Sequence, residues 1–193
     1  MANSKLKCRN CKDRFAADSM INLNGGAFCV IDCAVEYASK KGKVLTKKRG
    51  AVERKKRKEG LRTRTDWYSI LQKLVNQYVN KVRDEGKPCC TCGTTNNIKY
   101  DAGHYRTRGA CPELRFQLTN IHRQCSVQCN QHGSGMRAEY REFIVAEYNQ
   151  EHLEWLDGHH PSLKEQFPNI EDIKKEASIY RKLISDAGLK PCS

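Results

Sequence analysis

The sequence predicts an α+β chain built from several small modules rather than around one large core. Hydrophobic residues make up 38% and charged residues 30% of its 193 positions, a mixture too poor in apolar side chains for a single core of that size. Eight of the 11 cysteines fall into four close pairs: Cys8 with Cys11, Cys29 with Cys33, Cys89 with Cys92, and Cys125 with Cys129. Around those pairs, short alternating stretches precede longer ones whose apolar residues recur every three or four positions, the patterns of strands and amphipathic helices.

The opening residues, "MANSKLKCRN", hold no apolar run, and no stretch approaches the roughly 20 apolar residues needed to cross a bilayer. The chain is therefore expected to be soluble and unexported, with no membrane partner. In a reducing compartment paired cysteines favour thiolate-metal chemistry over disulfides. A short cysteine knuckle presents two thiolates from one tight turn, and two knuckles complete a tetrahedral zinc site. Two structural zinc ions are expected, one on Cys8, Cys11, Cys29 and Cys33, the other on Cys89, Cys92, Cys125 and Cys129. Cys90 can replace Cys89 as a ligand, and Cys111 and Cys192 read as ordinary thiols.

Residues 1–39 form the first module, an N-terminal zinc finger. "CRNC" opens it, "NGGAFC" supplies a glycine turn into the third ligand, and "VIDCAVEYASK" continues as a helix carrying the fourth. A unit this small cannot fold on its core alone, so the metal supplies much of its stability. Residues 40–64 are a basic linker, "KKGKVLTKKRGAVERKKRKEGLRTR", with 13 basic residues against two acidic ones out of a formal net charge of +13 for the whole chain. With little to bury it is exposed, either disordered or a single helix. A solvated arm is the plain reading. The charge density favours a polyanion, and Lys55, Lys56, Arg57 and Lys58 are candidate contacts to a DNA backbone.

Residues 65–149 contain the third module and its flanking helices. Thr65 and Asp66 are placed to cap a helix with apolar positions Trp67, Leu71, Leu74, Tyr78 and Val82, ending before Gly86 and Pro88. "IKYDAGHY" reads as a strand, "LTNIHRQC" as a second strand running into the last knuckle, and a helix is expected from near Asn130. Zinc would then tie the ends of a hairpin and helix together and bring His104, Asn120 and Asn130 near one another. "MRAEYREFIVAEY" follows as a helix, and residues 150–193 form a helical tail whose "NIEDIKKEASIYRKLISDAG" ends on Gly188 as a C-cap.

That arrangement resembles the HNH nucleases of the ββα-metal (His-Me finger) class. With "DAGHYR", "LRF", "NIHRQC" and "CNQH" it resembles more closely the NinG (Rap) recombination endonucleases of lambda-like phages. That family also has an N-terminal cysteine finger, a basic linker and a helical tail, so the likeness extends over most of the chain. The resemblance implies a ββα-metal HNH core and an endodeoxyribonuclease of the host bacterial cytoplasm. It would cut D-loops and Holliday junctions, with host or phage recombination proteins as further partners. His104 would be the general base, Asn120 would orient the loop that bears it, and Asn130 with Asp101 or His122 would hold one catalytic cation, Mg2+ or Mn2+. Arg106, Arg108, Arg115 and Arg123 would contact the DNA backbone. Two cuts on a four-way junction make a homodimer attractive.

Two features depart from the pattern. Three residues separate Cys125 from Cys129 where two are usual, and Gly103 precedes His104 where many HNH enzymes carry a metal-binding Asp or His. Asp101, two residues earlier and on the same strand face as Gly103, is the nearest carboxylate. His122 and His132 are open between ligand, phosphate contact and polar surface, while His152, His159 and His160 read as exposed. The alternative function is a non-catalytic zinc-finger DNA-binding or recombination-scaffold protein. A homing or restriction nuclease is disfavoured, because no sequence-reading module is evident.

Overall fold

The computed structural model describes residues 5–192 apart from Asn24 and Asn97. The chain divides into two compact units, Met1–Leu61 and Arg62–Ser193. Helix accounts for about 57% of the fold, so the strands serve as local braces.

In the first unit β1 (Lys5–Lys7) pairs antiparallel with β2 (Arg14–Ala16), and the turn between them carries Cys8 and Cys11. Lys12 adopts φ 71° there, and the Cys8 N–H donates to the Asp13 carbonyl at 2.8 Å. A second hairpin, β3 (Ile21–Leu23) with β4 (Gly26–Phe28), turns through Gly25 at φ 71° and delivers Cys29; Asn24, where the expected glycine turn begins, lies outside the described residues. Cys33 lies in the first turn of α1 (Ile31–Gly60). The apolar centre is small: Cys8, Met20, Phe28 and Ala34, with Phe15 and Tyr37 partly buried against it.

Helix α1 runs without a break across the boundary expected between residues 39 and 40, so finger and basic segment share one element about 45 Å long at 1.5 Å per residue. Lys, Arg, Glu, Ala and Leu suit a helix, and no proline interrupts it. Only Ala34 is buried along its length. Of the two forms expected for the linker, the helix is the one present.

The second unit starts with α2 (Arg64–Tyr78). Its cap is Thr63, two residues before the expected Thr65, with Asp66 as the reciprocal partner in a capping box. The helix continues into a π-helical turn, Val79–Arg83, and stops at Gly86, φ 78°. Trp67, Leu71, Leu74 and Val75 of α2 pack with Ile173, Ala177, Tyr180 and Ile184 of α6 (Ile170–Asp186). The expected helical tail is therefore half of the principal core. Helix α6 ends as its sequence predicts, with Gly188 at φ 75° and the Leu189 N–H returned to the Ile184 carbonyl.

On this core lies the antiparallel pair β5 (Tyr100–His104) and β6 (Ile121–Cys125), with Tyr100 opposite Cys125 and His104 opposite Ile121. A π-helical turn, Ser126–His132, follows β6 directly, where an α-helix from Asn130 was expected. The wider π turn accommodates the additional residue between Cys125 and Cys129. The regular helix α3 (Arg137–Glu147) starts one residue into the stretch "MRAEYREFIVAEY" read as a helix, and packs with α4 (Gln150–Asp157) on a second cluster that includes Tyr105, Leu114, Tyr140, Ile144 and Leu153. A single turn, α5 (Leu163–Gln166), leads into α6.

Candidate active site and metal centres

Both cysteine tetrads assemble, each with its four sulfurs within 4.8 Å of one another. Cys11 and Cys29 stand 3.7 Å apart, Cys29 and Cys33 3.5 Å, Cys89 and Cys129 3.8 Å, and Cys92 and Cys125 3.5 Å. Tetrahedral zinc with Zn–S bonds of about 2.3 Å requires sulfurs about 3.8 Å apart, so both sites fit that ion. The Cys125 N–H donates to Cys89 Sγ at 3.2 Å, a contact that favours the thiolate. Cys90 stands outside the tetrad and packs against the Tyr105–Tyr140 cluster, so Cys89 is the fourth sulfur.

Between the ends of this second tetrad, the outer edge of β5 has no strand neighbour among the described residues. A cavity of about 670 Å³ lies there, lined by Asn76, Asn80, Asp101, His104, Arg108 and Asn130 among others. Asp101 and His104 point to opposite faces of the strand, but the cavity follows the free edge and takes in both. Asn80 covers part of that edge: with its amide oriented to satisfy both groups, it accepts from the Ala102 N–H at 3.0 Å and donates to the Asp101 carbonyl at 3.2 Å.

His104 Nε2 lies 3.2 Å from the Arg115 carbonyl and 3.5 Å from Gln72 Nε2, and the ring also meets the Ala102 backbone. Burial, with the nearby charges of Arg108 and Arg115, pushes its pKa down to about 4, so the ring is neutral at physiological pH. Asn120 is fully buried and does not line the cavity. Its Oδ1 accepts from the Arg106 N–H at 2.8 Å, and its Nδ2 donates to the Arg106 and Leu114 carbonyls at 3.1 Å each. Both ends of the loop that follows His104 are thereby pinned. Opposite, Asp101 Oδ2 accepts from Ser126 Oγ at 2.5 Å and from Asn130 Nδ2 at 3.3 Å.

The chain matches, over residues 1–187, the family model described as Bacteriophage Lambda NinG protein. It belongs to the NinG family. It is 39% identical over 120 residues to Protein ninG of Escherichia phage lambda, a match covering 62% of this chain and 58% of that one. Protein ninG of Escherichia phage 933W is 42% identical over 104 residues, 54% of this chain and 51% of the relative. That of Salmonella phage P22 is 46% identical over 89 residues, 46% and 43%. The chain spans about half the length of the curated relatives it matches. No solved structure matches it.

In this NinG-family chain the glycine before His104 has a steric cause. A Cβ at Gly103 would fall 2.3 Å from Gln124 Oε1 and 3.0 Å from Gln124 Cβ, so a side chain there would require Gln124 to shift. Four expectations need correction. His122 is not available to a cation: its Nδ1 is 3.1 Å from the Tyr140 hydroxyl and its Nε2 2.9 Å from that of Tyr148, and it lines a different cavity with Cys90 and Phe143. Burial holds it neutral, its pKa pushed down to about 3. Arg123 is spent inside the fold, bonded to the Asp84 carbonyl and Glu85 with its guanidinium 4.0 Å from the Tyr100 ring centroid. Arg115 is half-buried, donating to Gln72 Oε1 and lying over Tyr68 and Phe116. His160 is buried against Trp155, and His152 is half-buried between Tyr148 and Trp155, so neither is an exposed polar residue.

Arg106 and Arg108 do line the cavity, and Lys55, Lys56, Arg57 and Lys58 are exposed on the last turns of α1. His132 is exposed at the end of the π turn. The sequence reading missed Gln72, Asn76 and Asn80. Gln72 is buried, accepts from Arg115 Nε, donates to Asn76 and lies 3.5 Å from His104 Nε2. The signal was a polar stripe at four-residue spacing along a helix otherwise read only for its apolar face.

Proposed function

We propose that this chain is a metal-assisted endodeoxyribonuclease of HNH type that cuts branched recombination intermediates such as D-loops and Holliday junctions. The observation that carries the reading is the placement of His104, a neutral imidazole on the wall of a cavity that Asp101 and Asn130 also line. A water placed in the cavity would lose its proton to the unprotonated ring nitrogen of His104 as its oxygen bonds to phosphorus and the bond to the 3′ oxygen breaks. Asn120 acts one layer away, holding the loop that follows the base. Asp101 and Asn130 would hold the divalent cation: one carboxylate and one amide oxygen suit Mg2+ or Mn2+, which bind through few protein groups and keep several waters. When bound, that ion stabilises charge on the phosphate and the leaving oxygen.

Arg108 lies at the lip of the cavity and the basic residues of α1 are exposed, so affinity for DNA would come largely from backbone charge without sequence reading. End-labelled linear, forked, D-loop and four-way DNA, incubated with the zinc-loaded chain and Mg2+ or Mn2+, test the proposal. Nicks confined to or favoured on the branched substrates are expected. A retarded band with no cut strand in either metal would sink the nuclease reading in favour of a DNA-binding scaffold.

A further inference from the structure

We propose a second phosphate-binding site beside the His104 cavity, in which Asp157 gathers Arg106, Arg137 and Arg141 around a DNA phosphate neighbouring the one that is cut. The proposal rests on the nucleic-acid reading above. Asp157, the last residue of α4, has Arg141 Nη1 at 3.1 Å, Arg106 Nη1 at 3.5 Å and Arg137 Nη2 at 3.7 Å. It also accepts from the Tyr105 hydroxyl, 3.1 Å from each carboxylate oxygen.

One carboxylate needs one guanidinium to be neutralised. Three leave two positive charges in excess and most of their N–H donors unspent, which the fold itself does not require. The side chains of Arg137 and Arg141 are 69% and 51% exposed, whereas that of Arg106 is 21% exposed and is held further by the Leu156 carbonyl at 3.1 Å. Each guanidinium carries paired N–H donors of the kind that grip phosphate oxygens two at a time.

The placement ties this cluster to the chemistry. Arg106 and Arg137 line the same cavity as His104. Arg106 follows His104 by two residues, and Asn120 holds its N–H and its carbonyl. The residue between them, Tyr105, puts its hydroxyl on Asp157 and its ring 5.8 Å from the Arg137 guanidinium. Base and clamp are thus carried by one braced segment. Asp157 itself touches no phosphate; it is a positioning residue.

The test measures binding of a fluorescent four-way junction and a linear duplex by the full, zinc-loaded chain over a salt series with no added divalent cation, and cutting in parallel with Mg2+. Arg137→Ala and Arg141→Ala should each weaken binding roughly threefold to tenfold and lower the salt slope by about 0.9. Lys175→Ala, an exposed charge on α6, should stay within about twofold. Asp157→Asn separates the readings by sign. Removing a negative charge should tighten binding if Asp157 is only a surface anion, whereas loss of the assembled cluster should weaken binding and slow cutting, with partial rescue by Asp157→Glu. Zinc content and melting of each variant establish folding, and should Asp157→Asn unfold, the exposed Arg137→Ala decides. Equal effects of Arg137→Ala and Lys175→Ala, or tighter binding by Asp157→Asn, would overturn the site. Arginine-dependent binding without any cutting keeps the site and removes the nuclease; cutting indifferent to both arginines does the reverse. A chain that binds no DNA loses both.

Discussion

The first unit buries Cys8, Met20, Phe28 and Ala34 and then continues into a 30-residue helix of which only Ala34 is buried. The second unit buries two clusters, one joining α2, β5, β6 and α6, the other joining the loop after His104 to α3 and α4. Both hold a cysteine tetrad of the same dimensions. The same metal-binding geometry therefore does different work in each. In the first, four buried side chains cannot offset the entropy of ordering a finger, so a metal on the tetrad would supply the rest. In the second, packed helices already hold the hairpin, and a metal on the tetrad would brace the ends of the segment that carries His104 and Asn120. Exposed charge lies where there is little core; the groups suited to chemistry lie where the core fixes geometry.

The largest effect should come from removing zinc. Binding of structural zinc by small cysteine modules is worth about 10–16 kcal/mol, far more than the finger's apolar centre supplies. A strong chelator should therefore melt residues 5–30 while α2 and α6 stay paired. Amide exchange is the measurement: fast exchange in β1 to β4 with protection retained at Leu71, Leu74, Ile173 and Ala177 is expected. If both sets of amides exchange together, the two units share one source of stability and the contrast is broken.

Next in size is His104→Ala. Losing a positioned acid-base group should slow cutting by roughly 10²–10⁴-fold, with zinc content and junction binding retained. The same residue has a pH signature. Its folded pKa, about 4, is below the unfolded value of about 6.5, so folding favours the neutral ring. Its contribution to stability is constant above pH 6.5 and declines as pH falls from there towards 4, because the unfolded chain takes up the proton first. Melting temperature from pH 7 to pH 4 should fall less steeply in His104→Ala than in the wild-type chain, and an identical slope would mean that His104 is not held neutral by the fold.

How much of this was legible in the sequence follows from how far apart the cooperating residues lie. The tetrads were legible because a knuckle is local, and the distant pairs had no other partners of the right chemistry. The motif placed His104 and Asn130 on one cavity and Asn120 behind it, where Asn120 bonds the loop after His104 as the orienting part expected of it requires. What failed was long-range. Arg123 alternates on β6 exactly as a surface charge would, and only the packing of Asp84, Glu85 and Tyr100 shows it to be consumed. His122 looked like a ligand because its two tyrosine partners lie 18 and 26 residues away. The three-residue spacing after Cys125 marked a departure without showing its form, a π turn over Ser126–His132 in place of the helix expected near Asn130, while α3 follows its own apolar periodicity.

The basic helix offers a smaller and more selective perturbation. Replacing Lys55, Lys56, Arg57 and Lys58 by glutamine should reduce the salt slope of DNA binding by up to about 3.6, at 0.9 per phosphate contact, and lower affinity accordingly. The cutting rate at saturating DNA should change little, because the proposed chemistry lies in the other unit. Salt-series binding and single-turnover cutting on the same preparation check both halves. A fall in the saturated rate equal to the fall in affinity would mean that the helix helps place the reacting phosphate, and the division of labour between the units would have to be abandoned.

The smallest effect expected is at the junction of the two units. Helix α1 ends at Gly60 and α2 begins at Arg64, and the chain restarts through Thr63, whose side chain accepts from the Asp66 N–H while Asp66 Oδ2 accepts from the Thr63 N–H at 2.8 Å. A capping box of this kind satisfies donors that the first turn of a helix otherwise leaves to water. Thr63→Ala should cost about 1 kcal/mol and lower the melting temperature of the second unit by about 4 °C, whereas Thr63→Ser should recover most of the loss. Because α2 contributes Trp67, Leu71 and Leu74 to its own unit's core, that cost should fall on residues 62–192 alone. Zinc retention by Cys8, Cys11, Cys29 and Cys33, followed by metal release against a chelator, should be unchanged. A faster release from the first tetrad in Thr63→Ala would mean that α1 and α2 melt as one helix, coupling the metal-made unit to the core-made one through three residues of linker.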